Sequence, residues 1–135
     1  MKTIFEKIID REIPADIVYE DDVCMAFLDI APVKKGHTLL ISKKPYPWID
    51  NVPQDEYVHI MNVAQQMIKH MKSELGVDYV QVSIVGTEVP HFHVHLIPRK
   101  LDEGEVEDSH HRPVEQYVSP EEKQYYIDTL KKPLN

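Results

Sequence analysis

Three histidines alternate with apolar residues in the segment 91–97, which reads His-Phe-His-Val-His-Leu-Ile. On an extended strand, residues two apart point to the same face. His91, His93 and His95 are therefore expected to form one row of imidazoles. The residues between them are apolar and predict a core-facing side: Phe92, Val94 and Leu96. The strand would thus have one side for packing and one side for chemistry.

Three interpretations of this row compete. The histidines could simply face solvent. They could bind a metal ion, because histidines at i and i+2 can share zinc. However, the Cα atoms of His91 and His95 would lie about 13 Å apart, and the sequence has no Cys-x-x-Cys pair to complete a site. Alternatively they could act in nucleophilic catalysis, since a neutral imidazole is a good nucleophile and its neighbours can fix its tautomer.

The loop Gly86-Thr87-Glu88-Val89-Pro90 leads into the histidine row. Gly86 allows a ligand to approach the backbone closely. Backbone N–H groups in such a loop can bind an anion. A nucleophilic histidine beside an anion-binding loop indicates phosphorus as the electrophile. We therefore expect hydrolysis in two steps, through a nucleotidyl-histidine that water breaks.

The helices and strands that precede the row are predicted from the spacing of apolar residues and from residues, such as proline, that interrupt regular structure. Apolar residues at helical spacing predict a short amphipathic helix over residues 3–9, which Pro14 ends. Residues 17–19 and 23–28 flank an acidic turn and predict a hairpin whose second arm lies inside the sheet. Residues 37–42 predict the next strand.

A change of period marks the second half of the chain. Apolar residues at spacings of three and four predict a long helix over residues 53–75, with Gly76 just past its end. Residues 80–84 alternate and predict a strand with one apolar face. Ser119, Pro120 and Glu122 predict a capping box that opens a last helix to about Leu130. No repeat or linker is apparent, which predicts a single domain over residues 1–135, with a core over 3–100 and an acidic loop and helix over 101–135.

Composition narrows the classes of partner. The 135 residues are 42% hydrophobic and 28% charged, which is typical of a globular protein. The net charge of −8 argues against broad nucleic-acid binding. No apolar run approaches the roughly 18 residues of a membrane span, and residues 1–7 do not predict a secretory signal. Cys24 has no sequence partner, so we expect a cytoplasmic protein without disulfides and without a membrane partner.

The segment 91–97 resembles the signature of the histidine-triad (HIT) family, which is His, apolar, His, apolar, His and two apolar residues. The resemblance extends over about residues 3–99 and is to the Hint branch of that family. The stretches that match in order and spacing are Thr3-Ile-Phe-Glu-Lys-Ile-Ile, Glu12-Ile-Pro-Ala, Tyr19-Glu-Asp-Asp, Ala26-Phe-Leu-Asp-Ile, Gly36-His37 and Leu39-Leu40-Ile41.

The resemblance implies an α+β fold of about five antiparallel strands, with a long helix between strands and short helices at both ends. Two copies would pair into a homodimer with a continuous ten-stranded sheet. His93 would be the nucleophile on the α-phosphorus of a purine nucleotide. His95 would contact the phosphate or the leaving group, while His37 and His91 would orient the row.

The resemblance also implies the substrate-binding residues. Asp29 would accept hydrogen bonds from the ribose hydroxyls. The purine would be walled by apolar side chains, namely Ile4, Phe5, Ile8, Phe27 and Ile30, although each of these could equally be plain core. The phosphate would meet the loop residues Gly86, Thr87, Glu88 and Val89.

The sequence departs from the family pattern at several positions. Thr87 and Glu88 stand where Hint-like proteins usually carry Gln-Ser, so only the backbone contact of that loop carries over. The Asn-Glu-Gly turn before the loop is absent, and Ser83 is its possible substitute. Zinc-bearing members carry a Cys-x-x-Cys pair where this chain has Thr3 and Glu6. The resemblance therefore implies no structural zinc and no cofactor.

The residues and the resemblance favour a purine nucleoside phosphoramidate hydrolase. Lys43-Lys44-Pro45, where Hint-like chains have Lys-Lys-His, slightly favours a dinucleoside polyphosphate hydrolase instead. Glu88 in the phosphate loop favours a nucleotide-binding module without catalysis. A metal-binding protein that uses the histidine row is the remaining alternative.

Overall fold

A computed structural model describes residues 1–103 and 115–131. The strands are β1 (Ile17–Glu20), β2 (Cys24–Leu28), β3 (Thr38–Ser42), β4 (Tyr79–Ser83) and β5 (His93–Arg99), and the helices are α1 (Ile4–Ile9), α2 (Gln54–Leu75) and α3 (Pro120–Leu130). Short 3-10 turns span Ile49–Asn51 and Leu101–Glu103. All strands pair antiparallel in one sheet, in the order β1-β2-β3-β5-β4. The predicted α+β architecture is confirmed, and β2 lies inside the sheet as expected.

The sheet is covered on both faces, which explains why every residue of β2 and β3 is buried. Ala26, Leu40 and Val94 pack against α2 and α3 in the larger core. The alternate residues of β2 and β3, such as Phe27 and Leu39, pack against α1 in a second, smaller core. The histidine row of β5 belongs to the α1 face, because Leu39 pairs with His95 and Ile41 pairs with His93.

The helix termini follow local hydrogen bonding. The Thr3 hydroxyl accepts the Glu6 N–H, and the Glu6 carboxylate accepts the Thr3 N–H, which is a capping box at the start of α1. The prediction that Pro14 ends this helix was wrong. The helix ends at Ile9, because Asp10 caps it and Arg11 adopts a left-handed conformation with φ of 63°.

The two later helices have the predicted bounds within one or two residues. α2 stops where Gly76 adopts the left-handed conformation that favours glycine, with φ of 67°. α3 begins at Ser119, whose hydroxyl accepts the Glu122 N–H. The reciprocal bond of the predicted capping box differs, since the Glu122 carboxylate accepts the N–H of Val118 instead.

Two further details of the strands differ from the predictions. β5 begins at His93, and His91 lies in the preceding bend, where it is fully buried. On β4 the predicted apolar face is only partly covered. Val80 and Ile84 pack against the larger core, but Val82 is 42% exposed because β4 is an edge strand.

Most of the predicted acidic loop falls in residues 104–114, outside the described residues. Within the described ranges, no helix is long and apolar enough to cross a membrane.

Candidate active site

A cavity of about 280 Å³ opens on the α1 face of the sheet, beside the histidine row. Its walls come from α1, the end of β2, β3, the loop before β5, and β5 itself. They are Ile4, Phe5, Ile8, Phe27, Asp29, Ile30, Leu39, Val85, Gly86, Thr87, Glu88, Val89, His93 and His95. Every residue that the sequence assigned to substrate binding therefore lines one cavity. His37 and His91 lie outside its lining and contact the two histidines that do line it.

One chain of hydrogen bonds determines which nitrogen of His93 faces the cavity. The Nδ1 of His93 lies 2.7 Å from the carbonyl oxygen of His91. A carbonyl only accepts, so Nδ1 carries the proton and donates. In the neutral ring the lone pair then resides on Nε2. Because His93 lines the cavity, this lone pair belongs to a side chain that a ligand can reach.

The ring of His91 is held by partners on both sides. Its Nε2 donates to the carbonyl oxygen of Ser42 at 2.7 Å, which leaves Nδ1 as the acceptor of the Thr3 hydroxyl at 2.9 Å. Burial lowers the pKa of His91 and so favours this neutral form. Thr3 at the start of α1 and Ser42 at the end of β3 thus immobilise the residue that orients His93.

A second chain of hydrogen bonds sets the tautomer of His95. The N–H of Val33 donates to Nδ1 of the fully buried His37 at 3.1 Å. The proton of His37 must then be on Nε2, which donates to Nδ1 of His95 at 3.0 Å. His95 consequently carries its own proton on Nε2. The row therefore offers one nitrogen lone pair, on His93, and one N–H donor, on the neighbouring His95.

Burial and charge act on the pKa of His93 in opposite directions. Burial lowers the pKa of His93 below its usual value of 6.5, while the bond to His91 and the carboxylates of Asp29 and Glu88 oppose that shift. The result is a neutral imidazole at pH 7. Phe5 packs edge-on against the same ring, with centroids 5.0 Å apart, and excludes water from one side of it.

The predicted ribose and purine contacts line the same cavity. One oxygen of Asp29 accepts the Ala31 N–H at 2.9 Å, and the other lies 3.5 Å from Nε2 of His37. Burial raises the pKa of Asp29, an effect that Glu88 adds to. Phe5 and Phe27 meet edge to face at the cavity wall, and Ile30 at the rim is 90% exposed. An exposed isoleucine beside an apolar cavity is a surface that a planar ring could cover.

Two groups of side chains in the described ranges bring possible metal ligands together. Asp29, His37 and His95 place their ligand atoms within 4.8 Å of one another. Hydrogen bonds with Val33 and His95 engage both nitrogens of His37, so in this arrangement His37 has no lone pair left for a metal ion. On the other face, Asp21, Cys24 and His59 form a similar group.

The second of these groups is also explained by hydrogen bonds. The carboxylate of Asp21 accepts the hydroxyl of Tyr19 and the N–H groups of Val23 and Cys24, and it pairs with Nε2 of His59 at 2.7 Å. Burial raises the pKa of the Cys24 thiol, which opposes the thiolate that a metal needs. We therefore assign no metal to it.

Sequence reasoning missed the part that Thr3 plays. Glu6, three residues after Thr3, signals a helix cap, but nothing local indicates that the same hydroxyl reaches a histidine 88 residues further along the chain. Leu39 and Val85, which line the cavity, were also missed. Leu39 was identifiable only from its pairing with His95 across the sheet.

Comparison with known proteins identifies the family of this chain. Residues 10–102 match the model of the HIT domain family. The match covers more than half of the chain, so the chain belongs to the HIT family. This confirms the resemblance that residues 91–97 indicate.

The relatives include proteins from archaea and plants. An uncharacterized HIT-like protein of Methanocaldococcus jannaschii is 44% identical over 108 residues, which are 76% of this chain and 83% of the relative. Adenylylsulfatase HINT3 of Arabidopsis thaliana is 31% identical over 102 residues, 72% of this chain and 52% of the relative. A crystal structure of a hypothetical histidine triad nucleotide-binding protein from Sulfolobus tokodaii superposes with a TM-score of 0.78 at 26% identity, covering 95% of this chain and 89% of that one.

Proposed function

We propose that this protein hydrolyses purine nucleoside 5'-phosphoramidates, through a covalent nucleotidyl intermediate on His93. The observation that carries the proposal is the 2.7 Å bond from Nδ1 of His93 to the His91 carbonyl, which leaves Nε2 as the free nucleophile in the cavity. Asp29 would bind the ribose, and Ile4, Phe5, Ile8, Phe27 and Ile30 would enclose the base.

The reaction balances in two steps. First, Nε2 of His93 bonds to phosphorus while the P–N bond breaks; the departing amine takes a proton from water, and Nε2–H of His95 donates a hydrogen bond to a phosphate oxygen. Next, the hydroxide left by that water attacks phosphorus, and the bond to His93 breaks and returns the electron pair to Nε2. The products are a nucleoside monophosphate and an amine. The backbone of Gly86, Thr87, Glu88 and Val89 would bind the phosphate oxygens.

Names among the relatives support a nucleotidyl substrate. The Arabidopsis relative is called an adenylylsulfatase, and the Sulfolobus structure is called a nucleotide-binding protein. For this chain, the homodimer is part of the proposal. The edge strand β4 carries the exposed Val82, and α2 carries the exposed Val58, which are surfaces that a second copy could cover.

Trapping the intermediate tests the proposal. The protein is mixed with adenosine 5'-phosphoramidate, quenched at alkaline pH within one turnover, digested and analysed by mass spectrometry. We expect an adenylyl group on His93. The variant His93→Ala should lose both adduct and turnover while still binding AMP. His59→Ala is the matched control, because His59 is on α2, paired with Asp21, and is no part of the cavity. Turnover that survives His93→Ala would refute the assignment.

A nucleotide-binding module without catalysis is the second candidate. Glu88 favours it, because this carboxylate lines the cavity where a phosphate would bind. The negative charge of Glu88 repels a phosphate bound in the same cavity and weakens its binding unless the carboxylate turns away. AMP binding without any adduct on His93 and without turnover would establish this candidate in place of the hydrolase.

A further inference from the structure

A second, smaller cavity meets the candidate active site at His93. It measures about 70 Å³ and shares Val85, Gly86 and His93 with the larger cavity. Its other walls come from the segment after β3, the residue that follows β4, and the bend before β5: Pro47, Trp48, Ile49, Asp50, Ile84 and Phe92. We propose that this cavity holds the leaving amine, and that it selects a short apolar amine with a second, positively charged group. The inference rests on the proposed function and specifies its substrate class.

Trp48 forms one wall of this cavity. Its backbone N–H donates to Oδ1 of Asn51 at 3.1 Å, and its backbone carbonyl accepts the Asn51 N–H at 3.0 Å, so the main chain at this wall is held in place. The ring lies against Gly86, where an added Cβ would stand 3.4 Å from Cζ3 of the indole. Trp48 remains 45% exposed, so part of its surface is available to a ligand.

Asp50 supplies the negative charge that would select an amine with a second, positively charged group. Its side chain is exposed, and in the described part of the chain no hydrogen bond or ion pair engages its carboxylate. A carboxylate beside an aromatic ring attracts a cation twice, by charge and through the face of the ring. The net charge of −8 acts in the same direction. An anionic leaving group would be repelled from this cavity.

The two cavities differ in size, with about 70 Å³ in the smaller and about 280 Å³ in the larger. We assign the larger cavity to the nucleoside and the smaller one to the alkyl chain of the amine, whose charged end would extend toward the exposed Asp50. A second nucleotide is far bulkier than such a chain, so the smaller cavity favours an amine over a dinucleoside polyphosphate.

The test compares four adenosine 5'-phosphoramidates: unsubstituted, and carrying n-butylamine, 1,4-diaminobutane or 4-aminobutyrate. We expect kcat/KM to be highest for the diaminobutane compound and lowest for the aminobutyrate compound. Asp50→Asn should lower the diaminobutane-to-butylamine ratio about fivefold, as loss of an exposed ion pair does. Asp22→Asn is the matched control, because it removes the same charge at an exposed site on the β1–β2 turn and should leave the ratio unchanged.

A second variant tests the indole independently. Trp48→Ala should lower the ratio of butylamine to unsubstituted compound about fivefold, because the neutral butyl chain loses apolar contact with the indole. If the ratios are the same in Asp50→Asn, in Trp48→Ala and in the unchanged protein, the amine subsite is wrong while the hydrolase stands. If none of the four compounds is turned over, the proposed function fails, and this inference fails with it. Asp50 is exposed, so its variant is expected to fold even if Trp48→Ala does not.

Discussion

Nδ1 of His93 donates to the backbone carbonyl of His91 across 2.7 Å, two residues earlier in the same motif. The alternation of the motif thus does more than place two imidazoles on one face. The backbone of the first histidine determines which nitrogen of the second carries the lone pair. Whatever holds His91 in place therefore also controls the reactivity of His93.

Thr3 is predicted to be a positioning residue. Thr3→Val removes both the helix cap and the partner of Nδ1 of His91. We expect a loss of about 1 kcal/mol in the free energy of unfolding and a fall in kcat of about tenfold, roughly one strong hydrogen bond. Thr3→Ser keeps the hydroxyl and should restore both values. Denaturant unfolding and steady-state kinetics measure the two effects. Unchanged kcat in a folded Thr3→Val variant would contradict this role.

His37 is predicted to act through His95. In His37→Phe, the Val33 N–H loses its acceptor and Nδ1 of His95 loses its donor. His95 could then hold its proton on the wrong nitrogen. We expect kcat to fall about 100-fold with KM changed little, and the unfolding free energy to fall by about 1–3 kcal/mol. Nitrogen NMR of the histidine rings reports the tautomer directly. An unchanged tautomer of His95 would show that Val33 and His37 do not determine it.

The dependence of activity on pH should reflect His93. Only the neutral ring has the lone pair, and burial lowers its pKa below 6.5, so kcat/KM should fall only at pH values below 6.5. The Glu88 carboxylate favours the protonated ring. Glu88→Gln should therefore move this acid limb to lower pH, and it should tighten AMP binding about fivefold. Glu121→Gln, on the exposed side of α3, is the control. If the acid limb moved to higher pH in Glu88→Gln, this would contradict the conclusion that the Glu88 carboxylate favours the protonated ring of His93.

Gly86 should tolerate no side chain without a cost to activity. Its φ of +86° lies in the left-handed region, where a Cβ costs about 1–2 kcal/mol. Gly86→Ala should destabilise the loop and lower kcat/KM, because both cavities share this residue. Gly76→Ala is a matched control, since it has φ of +67° and open space at the Cβ position. We expect similar loss of stability in both variants, but loss of activity in Gly86→Ala alone.

The homodimer is tested at the edge strand. Val82 on β4 is 42% exposed, and a lysine there would place a charge inside an interface formed by this edge. We expect light scattering to give twice the mass of the chain for the unchanged protein and the mass of one chain for Val82→Lys. Val118→Lys is the control, since Val118 is 80% exposed and lies just before α3. A dimer that persists in Val82→Lys would place the interface elsewhere.

The periodicity of the chain predicted most of its helices and strands, because each type of element has its own spacing of apolar residues along the sequence. Alternation along residues 91–97 indicated a strand, and the three- and four-residue spacing over residues 53–75 indicated α2. The misses were of two kinds. α1 ended before Pro14 because Arg11 adopted a conformation that its residue type does not signal. Val82 is exposed because β4 lies at the edge of the sheet. The alternation of apolar and polar residues along a strand does not indicate whether that strand is at an edge.

The sequence by itself determined that His93 and His95 share one side of a strand, next to a loop that can bind an anion, in a chain of the HIT family. The tertiary structure decided which nitrogens carry protons, because those depend on Thr3, Val33 and Ser42, which lie far from the motif along the chain. It also brought Trp48 and Asp50 to the second cavity. Spacing along a strand is a local property, whereas a tautomer or a cavity wall is a property of whatever the fold packs beside it.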